Sequence, residues 1–195
     1  MGTLERILAR LTGQRVYLDA NIFIYFLDRS EKYLPVVLPL MQAAFDRHFL
    51  AFTGRAAVAE VMVHPYRHGN PEVIARFKQF FASDFLSVVE HSAEQFDTAA
   101  MLVGQRKMKL VDALHHAAAL HASCHYLLSN DRGFGADGTL EVIGMDAMLA
   151  AVTGQGASGD GDALIEFLER EIDPIAKDSP ITPEQVEAYV RKHRK

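Results

Sequence analysis

Apolar positions over the first 150 residues alternate between a helical and a strand-like rhythm. Leu4, Ile7, Leu8 and Leu11 share one side of a short helix over 3–11. Val16-Tyr17-Leu18 is a buried strand that stops at Asp19, and 20–27 then turns helical or irregular. A helix over 36–49 contains Pro39, which loses a hydrogen bond and clashes in a helix interior, so its start is left open. Leu50 to Thr53 forms a second strand, and Arg55 to Val63 a helix that Pro65 should end. Asn70-Pro71 is a cap followed by a first-turn proline, which opens a helix through Phe81. Leu86 to Val89 is the third strand, followed by a helix that Ser92 and Gln95 would start as a capping box. Residues 110–123 are helical, and 125–128 and 140–143 are the fourth and fifth strands. Short strands separated by helices argue for a parallel sheet covered on both faces.

The rhythm changes after Ala151. Residues 153–161 hold four glycines in nine positions and read as a flexible linker. Beyond it, Leu164, Leu168 and Ile172 recur at helical spacing, and Thr182-Pro183-Glu184-Gln185 is a capping box with proline in the first turn. The expected division is a domain over 1–152, a linker over 153–161 and a helical tail over 162–195.

With 49% hydrophobic and 23% charged residues, the chain is not of the disordered class. Its single cysteine, Cys124, excludes a disulfide framework and a thiolate-rich zinc site. Glu5, Arg6 and Arg10 leave no signal peptide to be read at the start, and the apolar run 20–27 is too short to span a bilayer. The expectation is a cytoplasmic protein with no membrane partner. A net charge of −5 speaks against binding phosphates. Residues 1–152 hold 16 acids against 14 Lys and Arg, however, so much of the excess belongs to the tail. Acids that bind cations would cancel more of it.

Four acids stand at loaded places. Asp19 directly follows the first strand, and Asp131 follows the fourth by a few residues. Ligands bind outside the carboxyl ends of the strands in open parallel sheets, so both would lie at one edge. Glu60 lies within A-A-V-A-E-V-M-V, and Asp112 near the start of L-V-D-A-L-H-H-A-A-A-L. Burying a carboxylate there is costly unless it is paired or bound to a metal. Each acid alone has a bland explanation. Asp19 could cap the next helix, Asp131 could be a turn residue, and Asp112 could complement the helix dipole. The conjunction of all four is what suggests one acidic pocket.

V-Y-L-D-A-N-I-F-I-Y, V-A-E-V, L-V-D-A-L-H-H-A-A-A and L-L-S-N-D-R-G-F together resemble the signature segments of the PIN-domain ribonucleases. They are most similar to the VapC-type toxins of bacterial toxin–antitoxin pairs. The resemblance covers residues 16 to about 148. It implies a three-layer α/β/α fold around a parallel sheet of about five strands, here with a helical C-terminal appendage. It also implies an endoribonuclease with catalytic, metal-binding acids at Asp19, Glu60, Asp112 and Asp131, supported by Asn21 and Ser129. A homodimer, an RNA substrate and a cognate antitoxin follow from the same resemblance. The residue types agree, because hard oxygen donors without thiolates select Mg²⁺ or Mn²⁺ over zinc.

Arg106, Lys107 and Lys109, with Arg67, are the candidate phosphate contacts, although such charge runs are commonly solvated loops. His115 and His116 follow Asp112 at i+3 and i+4; one of them could face the pocket, but packing is the ordinary role for such residues. Three other readings remain. A housekeeping PIN nuclease would act on RNA or DNA outside any toxin pair. A catalytically silent PIN-like module would bind nucleic acid or assemble complexes. A haloacid-dehalogenase-type phosphatase needs a second Asp two residues after Asp19, where this chain has Asn21.

Overall fold

The computed structural model describes residues 3–131, 133, 134 and 138–153. Five strands, β1 (Arg15–Leu18), β2 (Leu50–Gly54), β3 (Leu86–Val89), β4 (Tyr126–Ser129) and β5 (Glu141–Gly144), form one sheet in the order β3-β2-β1-β4-β5. Every pairing is parallel, with Val16 opposite both Ala51 and Tyr126. The helices are α1 (Thr3–Leu11), α2 (Ala20–Leu27), α3 (Leu34–Phe45), α4 (Arg55–His68), α5 (Pro71–Phe81), α6 (Ala93–Arg106), α7 (Leu110–His121) and α8 (Met145–Thr153). This is the expected three-layer architecture.

Strand alternation produces the two cores. Val16, Leu18 and Leu128 face a cluster with Phe23, Phe26, Leu40 and Phe80. Tyr17 and Leu127 face the opposite way, into a cluster with Ala99, Leu102, Ala113, Ala117 and Ala118 from α6 and α7. The alanine-rich face of α7 lets that helix lie close to the sheet, which brings its polar residues to the sheet edge. Among the described residues, no helix is long and apolar enough to cross a membrane.

Local signals explain most element ends. Asn70 Oδ1 accepts from the backbone N–H groups of Glu72 and Val73, and Ser92 and Gln95 form both bonds of the capping box. Pro65 does not end α4. A proline costs one helical bond, to the Val61 carbonyl, and the helix instead stops at Gly69, whose φ of 67° supplies the left-handed cap. Helix α3 starts at Leu34 with a proline in its first turn, carries Pro39 inside and ends at Phe45 rather than at 49. Helix α8 was not expected from the sequence; its own Met145 and Met148 are fully buried. The expected domain boundary at 152 thus falls one residue before the end of α8. The rest of the linker and the tail lie outside the described residues.

Sheet order decides where a site can be. From β1 the chain builds outward to β2 and β3 on one side, then returns to place β4 and β5 on the other. The crevice between the carboxyl ends of β1 and β4 is therefore the topological switch point, where open α/β sheets bind ligands.

Candidate active site

Asp19 leaves β1 at that crevice and caps α2. Its Oδ1 accepts the Ala20 N–H at 2.8 Å, and its backbone N–H continues the ladder to the Leu128 carbonyl at 3.1 Å. Oδ2 accepts Ser129 Oγ–H at 2.5 Å and Asn21 Nδ2–H at 2.7 Å. The capping role and the site position turn out to be compatible. Burial pushes the Asp19 carboxyl above its ordinary range, against the pull of His115 and Ser129, and the Glu60 carboxylate adds to the rise.

Two groups of side chains surround Asp19. In the first, His115 of α7 is buried at 2% exposure and points Nε2 at Glu60 Oε2, 2.8 Å away, and at Asp19 Oδ1, 3.5 Å away. Its Nδ1 meets the Tyr17 hydroxyl at 2.9 Å. Burial disfavours the charged ring, but the carboxylates of Asp19, Glu60 and Asp112 outweigh it and raise the His115 pKa. Asp19, Glu60 and His115 each offer one potential ligand atom within 4.8 Å of the others.

The second group is Asp112 with Asp131. Asp112 Oδ2 is buried and has no hydrogen-bond partner among the described residues. A Cβ on Gly133 would lie 2.8 Å from that oxygen and 3.2 Å from Asp131 Oδ1, so both carboxylates converge on one small volume that glycine leaves open. Burial first, then the Asp131 charge, pushes the Asp112 carboxyl up to about 6, with Asp19 contributing in the same direction. Asp131 is also the turn residue it resembled: its Oδ1 accepts the Gly133 N–H, and its own N–H donates to Ser129 Oγ. Asn130 ties this loop to α2, α3 and α8 through Asn21, Tyr25, Tyr33 and the Asp146 N–H.

Asp19 and Glu60 thus meet at His115 Nε2, and Asp112 and Asp131 meet beside Gly133, with Asn21 and Ser129 bonded to Asp19. Asn21 donates its amide to Asp19 and has no carboxyl to act as an acid, which removes the phosphatase reading. Of the four basic candidates, Lys109 reaches the acids, with Nζ 3.9 Å from Asp131 Oδ2. Arg106 and Lys107 end α6 on the exposed surface, and Arg67 lies exposed in the last turn of α4. His115 departs from its ordinary packing role, whereas His116 is fully buried. Tyr17 and Gly133 were missed. A tyrosine two residues before Asp19 on an otherwise apolar strand was the available signal, since a buried phenol needs a partner.

The PIN domain model matches residues 16–136. No curated protein matches the chain in sequence. Three solved structures are similar at low identity. VapBC2 from Rickettsia felis, bound to a DNA fragment from its promoter, has 16% identity and a TM-score of 0.51, covering 67% of this chain and 98% of that one. A toxin–antitoxin complex from Klebsiella pneumoniae has 17% identity and a TM-score of 0.48, over 64% and 94%. VapC20 of Mycobacterium tuberculosis, a toxin that cleaves the sarcin–ricin loop, has 11% identity and a TM-score of 0.48, over 63% and 91%. The family match spans more than half of the chain and encloses all four acids, so this protein belongs to the PIN domain family.

Proposed function

We propose that this protein is a divalent-metal-dependent endoribonuclease, the toxin of a toxin–antitoxin pair. The observation that carries the metal reading is Asp112 Oδ2, a buried carboxylate oxygen left without a partner beside a second carboxylate. Such an oxygen is costly unless a cation completes it. The donor set is hard oxygen, which fits Mg²⁺ or Mn²⁺. A bound ion of this kind supplies Lewis acidity toward a phosphodiester and lowers the pKa of a bound water.

Asp19 and Asp112 are the principal ligands in this reading, with Glu60 and Asp131 completing the set directly or through water. Ser129 and Asn21 hold Asp19 Oδ2 in place, so its carboxylate cannot rotate away from the crevice. Lys109 stands beside Asp131, where an ammonium can meet a backbone phosphate, and Arg106, Lys107 and Arg67 are further phosphate contacts in this reading. The nuclease domain in this reading is residues 1–152, followed by the linker over 153–161 and the helical tail over 162–195. Phe96 and Met101 on α6 and Leu110 and Val111 on α7 are exposed large apolar side chains, which supports a homodimer or an antitoxin contact on that side.

The experiment is RNA cleavage by the full chain after EDTA treatment. Mg²⁺ or Mn²⁺ should restore it and Zn²⁺ should do so poorly; full activity without metal would sink the reading. Co-purification with the product of a small adjacent gene, and relief of growth arrest by it, tests the toxin assignment. A silent assembly module would show neither cleavage nor arrest.

A further inference from the structure

We propose that Asn130 is a positioning residue for the site: its side chain fastens the loop after β4 to α2, α3 and α8, and through that loop it sets where Asp131 and the Asn21 amide stand. The inference rests on reading the site as a metal centre. It starts from what holds Asp131.

The Asp131 carboxylate accepts the Gly133 N–H at 2.8 Å, a bond that lies inside the loop itself. That bond gives the loop a shape but no place. Lys109, 3.9 Å away and half exposed, is a weak tether, since exposed ion pairs contribute little. The place comes from residues 129 and 130. Ser129 Oγ accepts the Asp131 N–H, and the Asn130 N–H donates to Asn21 Oδ1 at 3.3 Å. This second bond orients the Asn21 amide. With its oxygen occupied by residue 130, its Nδ2 is turned toward Asp19 Oδ2 and Ser129 Oγ.

The Asn130 side chain binds groups outside the site. Its Oδ1 accepts the Asp146 N–H at 3.3 Å, in the first turn of α8, which orients the amide. Nδ2 then donates to the hydroxyl of Tyr33, the N-cap residue of α3, at 2.8 Å, and to that of Tyr25 on α2 at 3.2 Å. Tyr33 gives its own proton to Asp146 Oδ1 at 2.9 Å, so its oxygen takes the Asn130 donor as an acceptor. The two tyrosine rings stack with centroids 4.1 Å apart and planes 19° from parallel, and both belong to the larger core. Two hydroxyls on a buried, stacked pair make a rigid anchor. Aspartate has the shape of this side chain but no donor, and serine has one donor at most.

The test is Mn²⁺ affinity by titration calorimetry and steady-state RNA cleavage by the full chain, beside thermal melts in EDTA. Asn130 has no positive φ, so Asn130→Ala removes the anchor without straining the backbone. It should weaken Mn²⁺ binding by about 10–100-fold, the usual cost of losing a group that orients a ligand. At a fixed Mn²⁺ concentration, kcat should fall while KM for RNA stays within about twofold, the pattern for an interaction realised in the transition state. A lower Tm with parent-like Mn²⁺ affinity and kcat would make Asn130 a residue of the fold alone and overturn the inference. A change confined to KM overturns it as well. If Asn130→Ala does not fold, Tyr25→Phe decides, since it removes a single oxygen that Asn130 binds. It should weaken Mn²⁺ binding in the same direction, and parent-like affinity there overturns the inference. Asp19→Asn is the reference. Loss of Mn²⁺ binding there, with none in Asn130→Ala, overturns the positioning role alone. Unchanged binding in Asp19→Asn overturns the metal-centre reading beneath it.

Discussion

Ser129 Oγ reaches from the end of β4 to Asp19 Oδ2 at the end of β1, 2.5 Å away, and so bridges the two strands that flank the switch point. The same hydroxyl oxygen accepts the Asn21 amide and the Asp131 N–H. One small side chain thereby sets the position of two acids at once. Ser129→Ala should cost about 1–3 kcal/mol of stability, the range for hydrogen bonds to charged groups and for buried donors left unmade. Cleavage should fall by about 10–100-fold if Asp19 is a ligand that Ser129 orients. Denaturation in EDTA and single-turnover cleavage measure the two effects separately. An unchanged rate would mean that Ser129 serves the loop and not the chemistry.

Asp19→Asn and Asp112→Asn separate chemistry from folding. Each removes a carboxylate charge that burial disfavours, with Glu60 adding to the effect at Asp19 and Asp131 at Asp112, so the metal-free fold should keep its Tm or gain stability. Cleavage should fall on the order of a hundredfold or more, because several kcal/mol of charge stabilisation depends on a correctly held ion. Thermal melts in EDTA and RNA cleavage in Mn²⁺ check this. Variants that lose stability and activity together would show that the acids hold the fold.

Much of this site was legible because a parallel sheet announces its ligand edge in one dimension. Apolar runs such as Val16–Leu18 and Leu127–Leu128 end at polar residues, and those residues must collect where the strands end. Glu60 and Asp112 stood out as carboxylates in apolar helical settings. His115 was harder. Adjacent helical positions differ by about 100° in direction, and both His115 and His116 are buried, so the packing of α7 against α6, β2 and α4 decides which one meets Glu60. Gly133 had no periodic context at all; its importance lies in the space that it leaves. Pro65 misled because one missing hydrogen bond weighs less than the burial of Ala57, Val61 and Met62 along α4.

The pH dependence follows from Asp112. Burial and the Asp131 charge hold its carboxyl at about 6 in the fold, above its ordinary value of 3.8. The stability tied to its neutral form is fully present below the ordinary value and is lost as pH rises through about 6. Without metal, the Tm advantage of Asp112→Asn over the parent should therefore grow from pH 4.5 to pH 8. Mn²⁺ affinity should move the opposite way to apo stability, rising with pH through about 6, since the cation needs the ionised carboxylate. Melts in EDTA and calorimetric titrations across that range measure both. A Tm difference that shrinks with pH, or an affinity flat across pH 6, would show that Asp112 does not control the site.

Gly133→Ala probes the open volume between the two acids without altering any charge. Its new methyl would meet Asp112 Oδ2 at 2.8 Å and Asp131 Oδ1 at 3.2 Å, distances that force something to move. Both oxygens are the far ends of short, rotatable side chains, so the carboxylates yield before the backbone does. Stability in EDTA should then change by less than about 1 kcal/mol, in the range of surface substitutions that create no cavity or buried unpaired group. The displaced carboxylates no longer converge, and Mn²⁺ affinity and cleavage should both fall by at least about tenfold, the scale seen when a ligand's orientation is lost. Calorimetry and cleavage on the same preparation decide it. A Gly133→Ala protein that binds Mn²⁺ and cleaves RNA like the parent would place the cation elsewhere, and Asp112 and Asp131 would be reduced to residues of the turn.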